Sequence, residues 1–429
     1  MLQPLRNAWK IPDLRKKILY TIFLLIVFRF GSVIPVPWID TAILKEWLSG
    51  AQGSTIFDLL DTFSGGAFSS ATIFAMSISP YINSSIIMQL LCVAIPALER
   101  WSKEGEEGRN KITKATRYLT VVLAAIQAYG LYVTLHNQGA IMTVAGVPKF
   151  VVGFTIILAF TAGTAFLMWL GEQITGRGIG NGISMLIFAG IVSRVPVMLQ
   201  TAWMNFVPTG RWYILILLLV YSLASIMFVV LVNEAERRIP VQYAKRVVGR
   251  KMYGGQSSNI PIKVAMAGVI PIIFAMSIMS FPGTLAQLFG KSDGILVKIT
   301  NFITSGPIYP ILYFLLIVGF TYFYTSITFN PVEVSNNIKK NNGMVPGIRP
   351  GRPTTEYIAK VLGRITLIGA IFLGVIAVLP IVLTQIFTQN ISALSLTGTS
   401  LLIVVGVALE TVKEIESQMI MRHYKGFLE

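Results

Sequence analysis

Side chains able to do acid–base, metal or nucleophilic chemistry are scarce in this sequence, and none lies in a pattern that such chemistry needs. Two histidines, His136 and His423, and a single cysteine, Cys92, argue against a His-rich or Cys-based metal centre and a disulfide scaffold. Within the apolar stretches carboxylates are nearly absent: Glu172 ends one stretch and Glu410 lies late in the last. Ion-coupled transporters usually relay charge through buried acids or histidines, which are missing here. The run Gly176-Arg-Gly-Ile-Gly-Asn-Gly182 is glycine-rich, but it follows an apolar helical stretch rather than a strand, so it is not read as a phosphate cradle. No Walker loop, HExxH or nucleophile elbow occurs, and the chain is not expected to be an enzyme. The spacing that does recur is apolar. Ile78 and Ile82 are four apart, as are Ile183 and Ile187, while Ile270 and Ile273 are three apart, so each pair shares a helix face. Asn83, Ser84, Ser85 and Gln89 make the stretch after Ile82 unusually polar, and polar residues inside a span face other helices or a cavity.

The elements that must position these residues are membrane spans. Of 429 residues 54% are hydrophobic and only 13% charged, with a mean hydropathy of +0.69. A water-facing globule of this size carries about 25% charged residues, so part of the chain must use lipid as its solvent. Ten apolar stretches approach the roughly 20 residues that a spanning helix needs: 18–36, 71–95, 117–135, 151–171, 183–203, 212–232, 264–286, 307–327, 361–386 and 398–415. They are continuous rather than alternating, which favours helices over a β-barrel. Of the 35 Lys and Arg, 28 fall before the first stretch, after the last, in alternate loops or at the stretch ends beside them; six, with Arg194 inside the fifth stretch, are counted on the opposite side, and Arg29 lies within the first stretch. That asymmetry predicts ten spans with both termini in the cytoplasm.

Ten spans divide into five and five, giving an N-terminal half at 1–205 and a C-terminal half at 206–429. Five is odd, so a repeated five-helix unit must insert inverted the second time. The second span of each half carries a proline, Pro80 and Pro271, expected to interrupt the helix. Residues 54–68 are too short to cross. Thr55 and Asp58 fit a capping box, Ile56, Leu60, Phe63 and Phe68 recur at roughly helical spacing, and Gly65-Gly66 separates the segment from the next span. Arg29 lies deep in the first span, where it can either snorkel outwards or pair within the bundle. The largest basic loops contain Arg237, Arg238, Lys245, Arg246, Arg250 and Lys251, then Arg349 between two Pro-Gly pairs. They can serve as topology determinants and headgroup contacts, or as docking sites for a phosphate-rich or acidic partner.

Eight motifs in order resemble the SecY/Sec61-alpha family. They are Phe63-Ser-Gly-Gly-Ala67, Ser79-Pro-Tyr-Ile82, Gln89-Leu-Leu91, Lys103-Glu-Gly-Glu106, Gly178-Ile-Gly-Asn-Gly-Ile-Ser184, Tyr243-Ala-Lys-Arg246, Pro346-Gly-Ile-Arg-Pro-Gly351 and Gly398-Thr-Ser-Leu-Leu402. The resemblance implies an all-α membrane protein of ten helices in two inverted halves, the central subunit of a protein-conducting channel without a cofactor. It implies a pore ring of Ile78, Ile82, Ile183, Ile187, Ile270, Ile273 and Ile403, able to gate by dewetting. It makes residues 54–68 a plug, with Phe57, Leu60, Phe63 and the Gly65-Gly66 hinge. Helices 2 and 7 become a lateral gate that includes Asn83, Ser85, Gln89 and Pro271. The basic loops become contacts for the ATPase SecA and for ribosomal RNA. Further implied partners are SecE and SecG, signal peptides, unfolded preproteins and membrane lipids, and the implied location is the bacterial plasma membrane. Two other readings fit the helix count: a secondary transporter of inverted-repeat type, which would need polar midplane ligands, and a membrane scaffold, which would need no plug-like segment.

Overall fold

The computed structural model describes residues 8–50, 61, 64–142, 146–208, 210, 212–243, 246–248, 251–253, 257–289, 302–303, 308–386 and 397–425. The chain is mostly helical. Its helices are α1 (Pro12–Gly31), α2 (Thr41–Gly50), α3 (Ser79–Ala94), α4 (Pro96–Lys103), α5 (Glu106–Asn137), α6 (Lys149–Arg177) and α7 (Gly182–Phe206). They continue as α8 (Tyr213–Glu234), α9 (Ile270–Phe289), α10 (Ile308–Thr328), α11 (Pro331–Lys340), α12 (Arg352–Ile386) and α13 (Thr397–Lys425). Among the described residues six helices are long and apolar enough to cross a membrane, or seven if α3 and α4, bent by 102° at Ile95, count as one span.

Two apolar stretches begin helically later than their hydropathy suggests. Residues 71–78 form a series of turns, with positive φ at Ala71 and Ser77, and α3 starts only at Ser79. Similarly, residues 264–269 are turns, and α9 starts at Ile270. Pro80 and Pro271 therefore occupy first turns instead of interrupting spans. A proline lacks the N–H that a first turn leaves unbonded anyway, and it disfavours helix in the residue before it. The prolines inside helices are others: Pro196 in α7, Pro282 in α9 and Pro380 in α12.

The chain is not purely helical. Strand β1 (Glu236–Tyr243) pairs antiparallel with β4 (Ser257–Lys263) and, through Gln242 and Tyr243, with β5 (Gly343–Met344); β2 (Arg246–Val248) pairs with β3 (Lys251–Tyr253). Alternation is what makes β1 a strand: Ile239 and Val241 are buried while Arg238 and Pro240 are exposed. Ile239, Val241 and Ile262 share a core with Ile338, Val345, Ile358 and Leu362, which binds the two basic loops into one body.

The helices pack as two groups. In the first, α5 lies against α3 and α6, and α6 against α1 and α7; in the second, α10 lies against α9 and α12, and α13 against α8 and α12. The groups meet where α9 touches α3 and α5 and where α13 touches α7. Several buried threonine hydroxyls in the helices are satisfied locally, although Ser84, Tyr313, Thr399 and Ser400 bury hydroxyls with no partner among the described residues. Thr321 donates to the carbonyl of Ile317 and Thr325 to that of Thr321, both at 2.7 Å, which spares an apolar core an unbonded polar atom.

Candidate functional site

Six of the seven isoleucines singled out by spacing and resemblance converge. Ile78, Ile187 and Ile403 are buried, and Ile82, Ile183 and Ile273 are half-buried, in a single apolar cluster. Ile78 caps α3, and the amide of Ile82 donates to its carbonyl at 3.1 Å, so the four-residue spacing survives although the helix begins between them. The cluster draws Leu24 and Phe28 from α1, Leu167, Leu170 and Ile174 from α6, Leu186, Ile187 and Ile191 from α7, and Ile403 and Val407 from α13. Phe74 stacks on Phe28, with ring centroids 6.0 Å apart. Glycines bring these helices close. A Cβ on Gly182 would lie 1.9 Å from the carbonyl oxygen of Gly171, so the α6–α7 turn closes only without a side chain there.

Ile270 stands apart from the cluster and lines a cavity of about 440 Å³ with Asn181, Ser184, Lys263, Gly406 and Glu410. A second cavity of about 320 Å³ is lined by Arg29, Lys45, Gly65, Gly66, Ser193 and Arg194. Along α7 the order is polar, apolar, polar: Asn181 and Ser184 at one cavity, Ile187 and Ile191 in the cluster, Ser193 and Arg194 at the other. Thirteen helical residues rise about 20 Å. The cluster is thus a short apolar waist between two recesses whose walls mix polar and apolar groups. Ile191 and Val407 escaped the sequence reading, although each follows a named isoleucine by four residues and so continues its helix face.

Of the proposed plug residues, Phe57, Leu60 and Phe63 lie outside the described residues. Gly65 and Gly66 border the smaller cavity, and Ala67 reaches the apolar cluster. Both glycines have positive φ, +68° and +88°, and a Cβ on Gly65 would lie 2.8 Å from Ser193 Oγ. Here their role is close approach to α7. Arg29 is exposed yet bonded within the bundle: its guanidinium donates to the Gly65 carbonyl at 3.0 Å and to Ser193 Oγ at 3.2 Å.

For the lateral gate, α3 and α9 are in contact. Ser84 and Pro271 are buried, while Asn83, Ser85 and Gln89 are half-buried. Successive residues on a helix point about 100° apart, so this polar group wraps around α3 rather than forming one stripe. In the basic loops Arg237 and Arg238 project from β1 and are exposed, as is Arg349 between Gly347 and Gly351, which have φ +80° and +103°. The Arg349 carbonyl accepts from Thr354 Oγ1 at 2.9 Å, anchoring its turn to α12. Arg246 and Lys251 fall on β2 and β3, and Lys245 and Arg250 lie outside the described residues. Among the described residues no three His, Cys, Asp or Glu are grouped to hold a metal ion.

Comparison with known proteins places the chain in a family. The family model described as SecY matches residues 72–412. The protein translocase subunit SecY of Halalkalibacterium halodurans is 46% identical and that of Streptomyces coelicolor 47% identical, each over the whole of both chains. Among solved structures, a protein-conducting channel superposes with a TM-score of 0.66 at 19% identity, covering 94% of this chain and 92% of that one. Sec61 in a canine ribosome–channel complex from the endoplasmic reticulum gives 0.64 at 19% identity, with the same coverage. With relatives of this identity along its full length, the chain belongs to the SecY family and is a multi-pass membrane protein.

Proposed function

We propose that the apolar waist is the seal of a passive, gated pore through which this chain, as the central subunit of a translocon, passes unfolded polypeptide. The observation that carries the reading is the convergence of six isoleucines from both helical groups between two cavities that charged and polar side chains help to line. A collar of branched aliphatic side chains holds no fixed hydrogen bonds. It excludes ions by dewetting and closes around any side chain that passes.

In this reading α1, α3, α5, α6, α7, α8, α9, α10, α12 and α13 are the ten spans, divided into inverted halves at 1–205 and 206–429. Both termini and the basic loops face the cytoplasm of a bacterium, and the membrane is its plasma membrane. The pore is lined by Ile78, Ile82, Ile183, Ile187, Ile273 and Ile403, with Ile270 at its cytoplasmic mouth. Residues 54–68 are the plug, and contact between α3 and α9 is the lateral gate through which signal helices reach lipid. Arg237, Arg238, Lys245, Arg246, Arg250, Lys251 and Arg349 dock SecA or the ribosome, a relative of this fold having been solved bound to a ribosome. SecE and SecG complete the assembly.

The test is a secretory chain arrested in transit in the assembled translocase, with a photo-crosslinker at successive positions. Adducts are expected at Ile78, Ile82 and Ile187; an arrested chain that reaches none of them refutes the pore.

A further inference from the structure

The smaller recess, on the far side of the waist from the basic sheet, gathers cations. Its wall includes Arg29 of α1, Lys45 of α2 and Arg194 of α7. One of the three is balanced: Arg194 Nη2 donates to the buried carboxylate of Asp61. Its Nε is buried with no partner among the described residues, and its Nη1 lies against Gly66, 3.1 Å from where a Cβ would stand. The Arg29 guanidinium meets neutral oxygens: the Gly65 carbonyl at 3.0 Å, Ser193 Oγ at 3.2 Å and Ser32 Oγ at 3.4 Å. Lys45 is exposed and makes no hydrogen bond or ion pair among the described residues. Three cations around one carboxylate leave two positive charges over. The hydroxyls of Ser32, Ser69 and Ser193 already donate to main-chain carbonyls. Ser70, half-buried on the same wall, keeps its hydroxyl proton to give.

We infer that this recess binds a phosphate-class oxyanion, as free phosphate or as a lipid headgroup, held by Arg29, Lys45 and Arg194 with Ser70 as a neutral donor. Guanidinium groups present forked N–H pairs that fit phosphate oxygens, and hydrogen bonds between charged groups are roughly twice as strong as neutral ones. A carboxylate offers two oxygens in one plane, whereas a tetrahedral oxyanion presents oxygens to cations on three helices at once. Like charges collected in a cleft with low-dielectric walls draw a counter-ion more strongly than the same charges spread over open surface. Val33 and Val197 on the same wall are 67% and 50% exposed, so the recess opens beside apolar surface that an acyl chain can cover. Close packing shapes it: a Cβ on Gly65 would lie 2.8 Å from Ser193 Oγ. The site requires no moving segment and stands whether or not the waist is a pore.

The measurement is equilibrium dialysis of radiolabelled inorganic phosphate against the assembled translocase in a non-ionic detergent, with ionic strength held by chloride. A saturable class of one phosphate per chain is expected. Arg29→Gln should weaken it at least about tenfold and Lys45→Gln at least about threefold, since each removes a charge-assisted contact. Lys103→Gln, which removes an exposed cation of α4, should leave it within about twofold of the parent. Lys45 is exposed and unbonded, so its variant carries the comparison should Arg29→Gln fail to accumulate. Phosphatidylglycerol added to the micelles separates the two sources. A headgroup that takes the site raises the apparent Kd for phosphate at least about threefold; an unchanged Kd makes free phosphate the ligand, and either result supports the site. Absence of a saturable class, or one that Arg29→Gln and Lys45→Gln both leave unchanged, overturns it. Acetate that displaces the label as well as unlabelled phosphate does overturns the phosphate class.

Discussion

In the proposed pore an isoleucine at the waist works by what it withholds from water. Ile187 is 3% exposed and Ile403 fully buried, so neither offers a permeating ion anything to replace its hydration shell. A carboxylate there would draw water into the cluster, because burying an ionised group unpaired costs several kcal/mol. Ile187→Asp and Ile82→Asp are expected to make the resting channel leak ions, with Ile187→Asp the leakier since its site is more enclosed. Planar-bilayer conductance checks this; two variants as tight as the parent would remove the isoleucines from the seal. Arg29 teaches the complementary lesson. Depth in the span left snorkelling and pairing both open, and only the approach of Gly65 and Ser193 to its guanidinium decides for bonds within the bundle.

At the scale of elements, hydropathy located the apolar stretches well and their helical starts poorly. Residues 71–78 and 264–269 are as apolar as the helices that follow, so their composition carries no boundary. The boundary comes from proline chemistry, which places Pro80 and Pro271 in first turns. Of the sheet, the sequence shows only the alternation of β1, Ile239 and Val241 against Arg238 and Pro240. Its partner strand β4 begins more than a dozen residues later, and β5 lies a further 80 residues on. This sheet holds the basic loops over a common core, which makes Arg349 a projecting charge on a stiff turn. Arg349→Glu is expected to weaken docking of SecA or of ribosomes to translocase vesicles about three- to tenfold with the pore intact, as charge reversal at an exposed contact does. Co-sedimentation measures it, and unchanged binding would take Arg349 out of the docking surface.

For the whole molecule, the two helical groups meet on two sides of different character. On one, α3 and α9 touch through helices that start at prolines. On the other, α7 and the turn before it pack against α13: Thr411 Oγ1 lies 3.3 Å from where a Gly180 Cβ would be, and Ile179 and Ile415 share a small core with Ala8 and Leu14. Lys17 donates to Gln418 Oε1 at 3.2 Å on the same side. In the proposed channel the α7–α13 side is the one that stays closed and the α3–α9 contact the one that parts. Gly180 has φ +76°, a conformation that a branched side chain strains, with Thr411 close by, so Gly180→Val should cost about 1–3 kcal/mol and lower the Tm of the purified complex. An unshifted Tm would mean that this side is slack.

The sequence by itself determined the solvent of this chain, the approximate places of its apolar helices, the uneven spread of its basic residues and the isoleucine spacings. Each is a property of composition or of neighbours three or four residues apart, where helix geometry alone decides who shares a face. Tertiary structure alone decided that isoleucines from residue 78 to residue 403 meet at one waist, that Ile270 falls outside it, that the glycine pair at 65–66 is a seat on α7, and that Asp61 finds Arg194. Those contacts join residues separated by more than a hundred positions, and no local period encodes them. They follow from how bundled helices bury their apolar faces and neutralise the few charges left within.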